Sequence, residues 1–192
     1  MDFGKLVVRL VVGGFFTAHG LQKLRGSFGG PGIEGTTQMM QALDMHPARR
    51  NAFAAALSET LGGAGIVLGA GTPFASAALI GTMATAIRKV HAPNGPWNAS
   101  GGWEYNAVLM AVVAGLTNDG PGDISFDALL GHRRWGLPWS LFALVAGIGG
   151  SAAAIEAGRR SAPEGGDGGS STPQSTDDAS EGATAESADA GI

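Results

Sequence analysis

The chain has 192 residues, the length of one domain, with 44% hydrophobic residues, a mean hydropathy of +0.14 and a formal net charge of −4. It contains no cysteine, which excludes disulfides, thiolate catalysis, iron–sulfur clusters and zinc–thiolate sites. The charge is uneven: 161–192 carries seven acids and no Lys or Arg, so residues 1–160 hold twelve bases against nine acids and a net of +3.

The unremarkable mean hydropathy hides several long apolar segments. The first, Phe3–Leu24, has 22 residues, enough to cross a bilayer core of about 30 Å at about 1.5 Å per residue. Lys5 precedes it as in a signal peptide, but no small-x-small cleavage site follows, so a retained span is expected. Arg9, His19 and Lys23 lie inside it. A charge at the bilayer centre costs about 2.5–3.5 kcal/mol, so such groups are expected to face an interior and pair there. His19, Gln22 and Lys23 stand at i, i+3 and i+4 and share one helix face, with Arg9 near the same stripe about 15 Å from His19. The Phe28–Gly32 run that follows is too rich in glycine for a good helix and reads as an ordered interfacial loop.

The second segment, Phe53–Ala70, holds Glu59 too deep to snorkel, so it should be paired or protonated, with Arg9 as the candidate partner. Gly71-Thr72-Pro73 then forces a tight reversal into a third segment, Phe74–Val90, making an antiparallel hairpin. Gly65-xxx-Gly69 here and Ala146-xxx-Gly150 further on are close-packing patterns, but in a chain with 33 glycines they carry little weight.

The connection from Arg88 to Asn106 is dense in polar and aromatic residues. Pro93-Asn94-Gly95-Pro96 forces a turn, and Gly101-Gly102 precedes a helix whose first turn contains Glu104, where the helix dipole favours an acid. The dipole does not explain why His91, Asn94, Asn98, Trp103 and Tyr105 gather there too. The fourth segment, Trp103–Thr117, is short for a span, with Trp97, Trp103 and Tyr105 as interfacial anchors. Asp119, Asp123 and Asp127 lack the alternation and terminal Glu of a calcium loop, and Ser125 and Asp127 are expected to cap a short helix near Phe126–Leu130. The last segment, Leu137–Ile155, is uncharged, with Trp135 and Trp139 at one end and Arg159 and Arg160 beyond the other. The tail, 161–192, cannot bury enough apolar surface to offset ordering and reads as disordered. With five spans and an outside N-terminus, eight Lys and Arg fall on the cytoplasmic side against four outside.

The chain resembles the DoxX family of small bacterial membrane proteins. The likeness rests on His19-Gly20-Leu21-Gln22-Lys23 leading to Phe28-Gly29-Gly30-Pro31-Gly32, on Glu59 with Leu61-Gly62-Gly63, and on His91-Ala92-Pro93-Asn94-Gly95 through Gly101-Gly102-Trp103-Glu104-Tyr105-Asn106. It continues into Gly120-Pro121-Gly122 and Ser125-x-Asp127 and covers about residues 5–130. The resemblance implies an all-α fold, a transmembrane four-helix bundle over 1–132, in the bacterial cytoplasmic (inner) membrane. This chain adds a C-terminal transmembrane helix over 133–160 and the acidic tail over 161–192. Family members look related to the membrane subunit of thiosulfate:quinone oxidoreductases, and some are thought to act in membrane redox or oxidative-stress complexes.

The resulting expectation is a quinone-interacting membrane subunit with little activity alone. His19, Gln22, Lys23, His91, Asn94 and Tyr105 would contact the quinone, and Glu59, Glu104 and His91 would handle its protons. No flavin or nicotinamide site is legible, so electrons would come from a partner redox enzyme. Bis-His heme between His19 and His91 is a thin signal, and neither heme nor another metal is expected. Nothing reads as nucleic-acid binding. The competing readings are a non-catalytic scaffold that recruits redox enzymes through loops or tail, and a small-solute transporter using Glu59 and Arg9.

Overall fold

The computed structural model describes residues 3–162, so the acidic tail expected over 161–192 lies outside the described residues from position 163 onward. The described residues are all helix, turn and loop, without a strand. Helix α1 runs Phe3–Arg25, α2 Gly32–Ala42, α3 Ala48–Leu68, α4 Thr72–Ala86, α5 Glu104–Asp119, α6 Phe126–Leu129 and α7 Leu137–Arg160. Three of them, α1, α3 and α7, are long and apolar enough to cross a membrane. Helix α4 is shorter, but a π-turn over Ile87–His91 carries its rod onward.

Local chemistry sets the boundaries. Helix α1 ends at Gly26 in the left-handed conformation, where a side chain would be strained. Helix α3 ends at Gly69, also left-handed, with Gly69 N donating to Ile66 O and Ala70 N to Gly65 O, the paired bonds of a Schellman motif. Helix α4 restarts at once with Pro73 in its first turn, where the missing N–H costs nothing. The hairpin expected around residues 71–73 is thus present.

Two elements were not legible in the sequence. Residues 33–52 gave no helical expectation, yet they supply α2 and the first turn of α3. Met40, Met45, Ala48 and Ala52 form a small apolar cluster there, with Ile33, Leu43, Ala55 and Ile155 packed around it. The expected Phe28–Gly32 loop is ordered, with left-handed backbone at Gly26, Phe28, Gly29 and Gly32.

Helices α1 and α3 pack antiparallel at backbone contact. A side chain at Gly13 would meet Gly63 O at 2.7 Å and Val67 N at 2.8 Å, and one at Gly20 would collide with Thr60. Gly13, Gly20 and Gly63 thus allow the α1–α3 contact, while Gly65 lies close to Ala75 and Gly69 close to Ser125 and the Arg9 guanidinium. Helix α4 lies centrally, in contact with α3, α5 and α7. The core of Ile66, Leu79, Ile80, Val113, Leu116 and Ala143 gathers on it. Hydroxyls stitch the helices together: Thr117 Oγ1 donates to Ser76 Oγ at 2.8 Å, Ser140 Oγ to Ala114 O at 2.8 Å, and Thr85 and Ser151 share a bond of 2.8 Å.

Arg9 does not pair with Glu59. Its guanidinium, 2% exposed, donates from Nε to Ile66 O (3.0 Å), from Nη1 to Pro121 O (2.9 Å) and Ile124 O (2.6 Å), and from Nη2 to Val67 O (2.7 Å). The antiparallel register explains the correction: Gly20 lies beside Thr60 and Gly13 beside Val67, so Arg9, further toward the N-terminus, falls at the far end of α3. Two of its acceptors are the last-turn carbonyls of α3, where a cation also complements the helix dipole.

Asp127 answers it across the turn. Ser125 caps α6, accepting from Ala128 N at 3.2 Å as expected, but the Asp127 carboxylate does not. It accepts from Gly71 N (2.7 Å), Thr72 N (3.0 Å), Thr72 Oγ1 (2.7 Å) and Trp135 Nε1 (2.9 Å), so it caps α4. Burial pushes this carboxyl upward, but the hydrogen bonds from Thr72, Trp135 and Gly71 outweigh it and hold it below the ordinary value of 3.8.

Two predictions follow from this junction. Arg9→Lys keeps a charge but loses the planar fork, leaving carbonyls unsatisfied at about 1–3 kcal/mol each. Its melting temperature in detergent is expected to fall well below wild type, and an unchanged value would remove Arg9 from this role. For Asp127 the folded acid is stronger than the unfolded one, so its stabilisation is complete above pH 3.8 and is lost as pH falls through the lowered folded value. The stability gap between wild type and Asp127→Asn should therefore narrow below that pH, as read by acid-titrated thermal melts.

Candidate functional site

A polar pair sits inside the apolar bundle. Lys23 Nζ donates to Glu59 Oε2, joining α1 to α3. Glu59 is 1% exposed, and the Lys23 side chain retains 24%. The antiparallel register that sends Arg9 to one end of α3 brings Lys23 to the middle of it. Lys23 is also held through its backbone, since Thr36 Oγ1 of α2 donates to Lys23 O at 3.2 Å.

This pair lines a cavity of ≈ 400 Å³ between α3, α4 and α7, with α2 over one end. Small residues on α4 and α7, among them Ala78, Gly81 and Gly150, make the room. Ser58, Thr82, Thr85 and Ser151 add hydroxyls to an otherwise apolar lining, and Lys89 reaches it from the π-turn. Thr82 and Thr85 donate back to Ala78 O and Gly81 O, so their lone pairs are what they offer the cavity. Lys23 has N–H groups beyond the one given to Glu59, so the lining offers both donors and acceptors to an occupant.

The other expected site residues lie elsewhere. His19 and Gln22 do share the outer face of α1, where His19 Nδ1 and Gln22 Oε1 meet at 2.9 Å, while Lys23 turns inward. The expected single stripe of three donors is therefore divided, because α3 covers only the Lys23 side. His91 Nδ1 lies 2.8 Å from Gly101 O, and Asn94 Nδ2 donates to the same carbonyl at 3.2 Å. Glu104 Oε1 accepts from Asn98 N at 2.7 Å, while Trp103 N and Glu104 N donate to Gly95 O and Pro96 O. The polar residues of 91–104 thus knit that loop to itself. Tyr105 is exposed on α5.

Residues 4–92 match the model of the DoxX family. Over those residues the chain is similar to DoxX proteins. With three apolar helices of spanning length, it is a membrane protein. The DoxX match takes in Lys23, Glu59 and His91 but stops at Ala92, so Asn94, Glu104 and Tyr105 lie beyond it, as do α5, α6 and α7. No curated protein and no solved structure matches the chain. Sequence reasoning singled out Lys23 and Glu59 but not their pairing, and it missed Ser58, Lys89 and Ser151. For Ser58 and Ser151 the only sequence signal is a polar side chain within a small-residue stretch, and Lys89 reads only as part of the basic Arg88-Lys89 step.

Removing one member of a buried pair strands the other charge at about 3–5 kcal/mol. Lys23→Met is therefore expected to destabilise the protein more than Lys23→Met combined with Glu59→Gln, and Glu59→Ala more than Glu59→Gln. Thermal melts of the four variants in one detergent test this, and additive losses would mean the two side chains do not interact.

Proposed function

We propose that this chain is a multi-pass subunit of the bacterial inner membrane that binds a quinone for a partner redox enzyme. The observation that carries the reading is the cavity between apolar helices that the Lys23–Glu59 pair lines. In this reading α1, α3, α4 and α5 form a four-helix membrane core and α7 an additional span.

Quinone reduction takes up protons together with electrons. Lys23 would donate to a quinone carbonyl and Glu59 would exchange protons with it, while electrons arrive from a redox partner such as an enzyme of oxidative-stress defence. The chain would then turn over little alone. Alternate helix directions bring Lys23, Arg25, Arg49, Arg50, Arg88, Lys89, Arg159 and Arg160 to one end of the helices, and Lys5, Arg9, Arg133 and Arg134 toward the other. The positive-inside rule then sets the first end in the cytoplasm.

The scaffold reading draws on a different observation: Trp97 within, and Tyr105 just after, a loop fixed by its own hydrogen bonds are 67% and 55% exposed. A rigid loop presenting aromatics is a suitable docking surface for a recruited enzyme.

Thermal stability of the purified protein, titrated with soluble ubiquinone and menaquinone analogues, separates the two. A ligand of the folded state at about one hundred times its Kd adds about 2.7 kcal/mol. Saturable stabilisation is expected for wild type and His91→Ala and should be weakened in Glu59→Gln. No stabilisation at any concentration favours the scaffold, and loss only in His91→Ala would move the site to the loop.

A further inference from the structure

We propose that the cavity opens sideways into the bilayer through a cleft between α3 and α7, and that this cleft takes the isoprenoid tail of a membrane quinone. The inference rests on the quinone reading above and concerns how the ligand enters and which part of it the cleft recognises.

Helices α3 and α7 both pack on α4 but make no extended contact with each other. At the aqueous, basic end they are nevertheless bridged. Ile155 of α7 packs with the cluster of Met40, Met45, Ala48 and Ala52, and a side chain at Gly158 would lie 3.3 Å from His46 N and 3.4 Å from Met45 Cα. Met39, Met40, Leu43 and Met45 line the cavity beneath this bridge.

Deeper in the bundle the gap is bordered by Ala54, Ala55 and Ser58 of α3 and by Ala146, Gly150 and Ala154 of α7. Two glycines on α7 mark the change. A side chain at Gly147 would strike Ile80 Cγ2 at 2.7 Å and Ala77 O at 2.8 Å, so that face is closed against α4. One at Gly150, three residues on, would meet nothing within 4 Å. The gap between α3 and α7 therefore lies along the flank of the helices, with the α2–α7 contact at its basic end.

The polar pair fixes the orientation of the occupant. Its ring reaches Lys23 and Glu59, and its tail leaves by the flank. An apolar chain that left by the aqueous end would be exposed to water along its length, whereas a side exit keeps it in hydrocarbon. Gly150 supplies a clean obstruction, because a Phe there projects into open space without disturbing the α4–α7 contact and raises helix propensity.

The test uses the full chain in phosphatidylethanolamine–phosphatidylglycerol vesicles with two probes. One is a quinone carrying a diazirine on an isoprenoid tail, and the other is a tail-less benzoquinone analogue. Photolabelling is expected on α3 and α7 peptides beside the gap and should be displaced by excess unlabelled tailed quinone. Gly150→Phe should weaken the tailed ligand roughly tenfold or more, the contact of about two buried methylenes, and weaken the tail-less one clearly less. Labelling of residues 39–45 instead, or equal effects of Gly150→Phe on both probes, overturns the side entrance while leaving the quinone site standing. Labelling of α3 and α7 that quinone cannot displace marks ordinary lipid contact and also overturns it. Saturable binding of neither probe would sink the quinone reading itself.

Discussion

The guanidinium of Arg9 ties together three segments that are distant in sequence. It lies in the first span, yet its four acceptors belong to the end of α3 and to the Pro121–Ile124 loop. With Asp127 it brackets the α3–α4 reversal, a cation on the carbonyl end of one helix and a carboxylate on the amide end of the next. Both charges thereby complement the dipoles and satisfy backbone groups that lipid could not hydrate. Asp127 N also donates to Gly69 O at 2.8 Å, which closes the junction around the glycine of the turn. A buried charge without a direct ion-pair hydrogen bond is costly in principle. Here the cost is offset by the number of dipoles aimed at it.

Everything at the other end depends on that anchorage. Fixing α1 against α3 at Arg9 sets the register in which Gly13, Gly20 and Gly63 allow backbone contact, and that register delivers Lys23 to Glu59. A shift of one residue along either helix would turn Lys23 away from Glu59, since successive residues on a helix point about 100° apart. The same rigid arrangement leaves α7 leaning on α4 and α5 rather than on α3, and the cavity is the space so created.

The loop over 91–104 illustrates how polar density can mislead. His91, Asn94 and Glu104 have the side chains of a catalytic cluster, but each is engaged with a backbone group of the loop itself. A connection with four helix-breaking residues in Pro93–Pro96 has many backbone groups to satisfy, and these side chains satisfy them. Lys23 and Glu59, by contrast, sit where no backbone group needs them, and they face open volume.

The sequence by itself determined that the chain is helical and membrane-embedded, that α3 and α4 form a hairpin, and that buried charges in the first two spans must be compensated. These follow from hydrophobic length, from Gly and Pro at the turn, and from the cost of charge in hydrocarbon, all local or compositional quantities. It did not determine partners. Arg9, Lys23 and Glu59 are compatible with either pairing when only desolvation is considered, and the choice comes from the antiparallel register, which close contact at glycines fixes. Asp127 likewise reads as a cap for its own short helix until the fold brings Thr72 within reach. Helix α2 went unseen because it is too short and too polar to stand out as a span, although Ile33, Met40 and Leu43 recur at helical spacing and pack with Met45 and α3. The cavity is the most tertiary feature of all, since an empty volume has no residue of its own and arises only from which helices fail to touch.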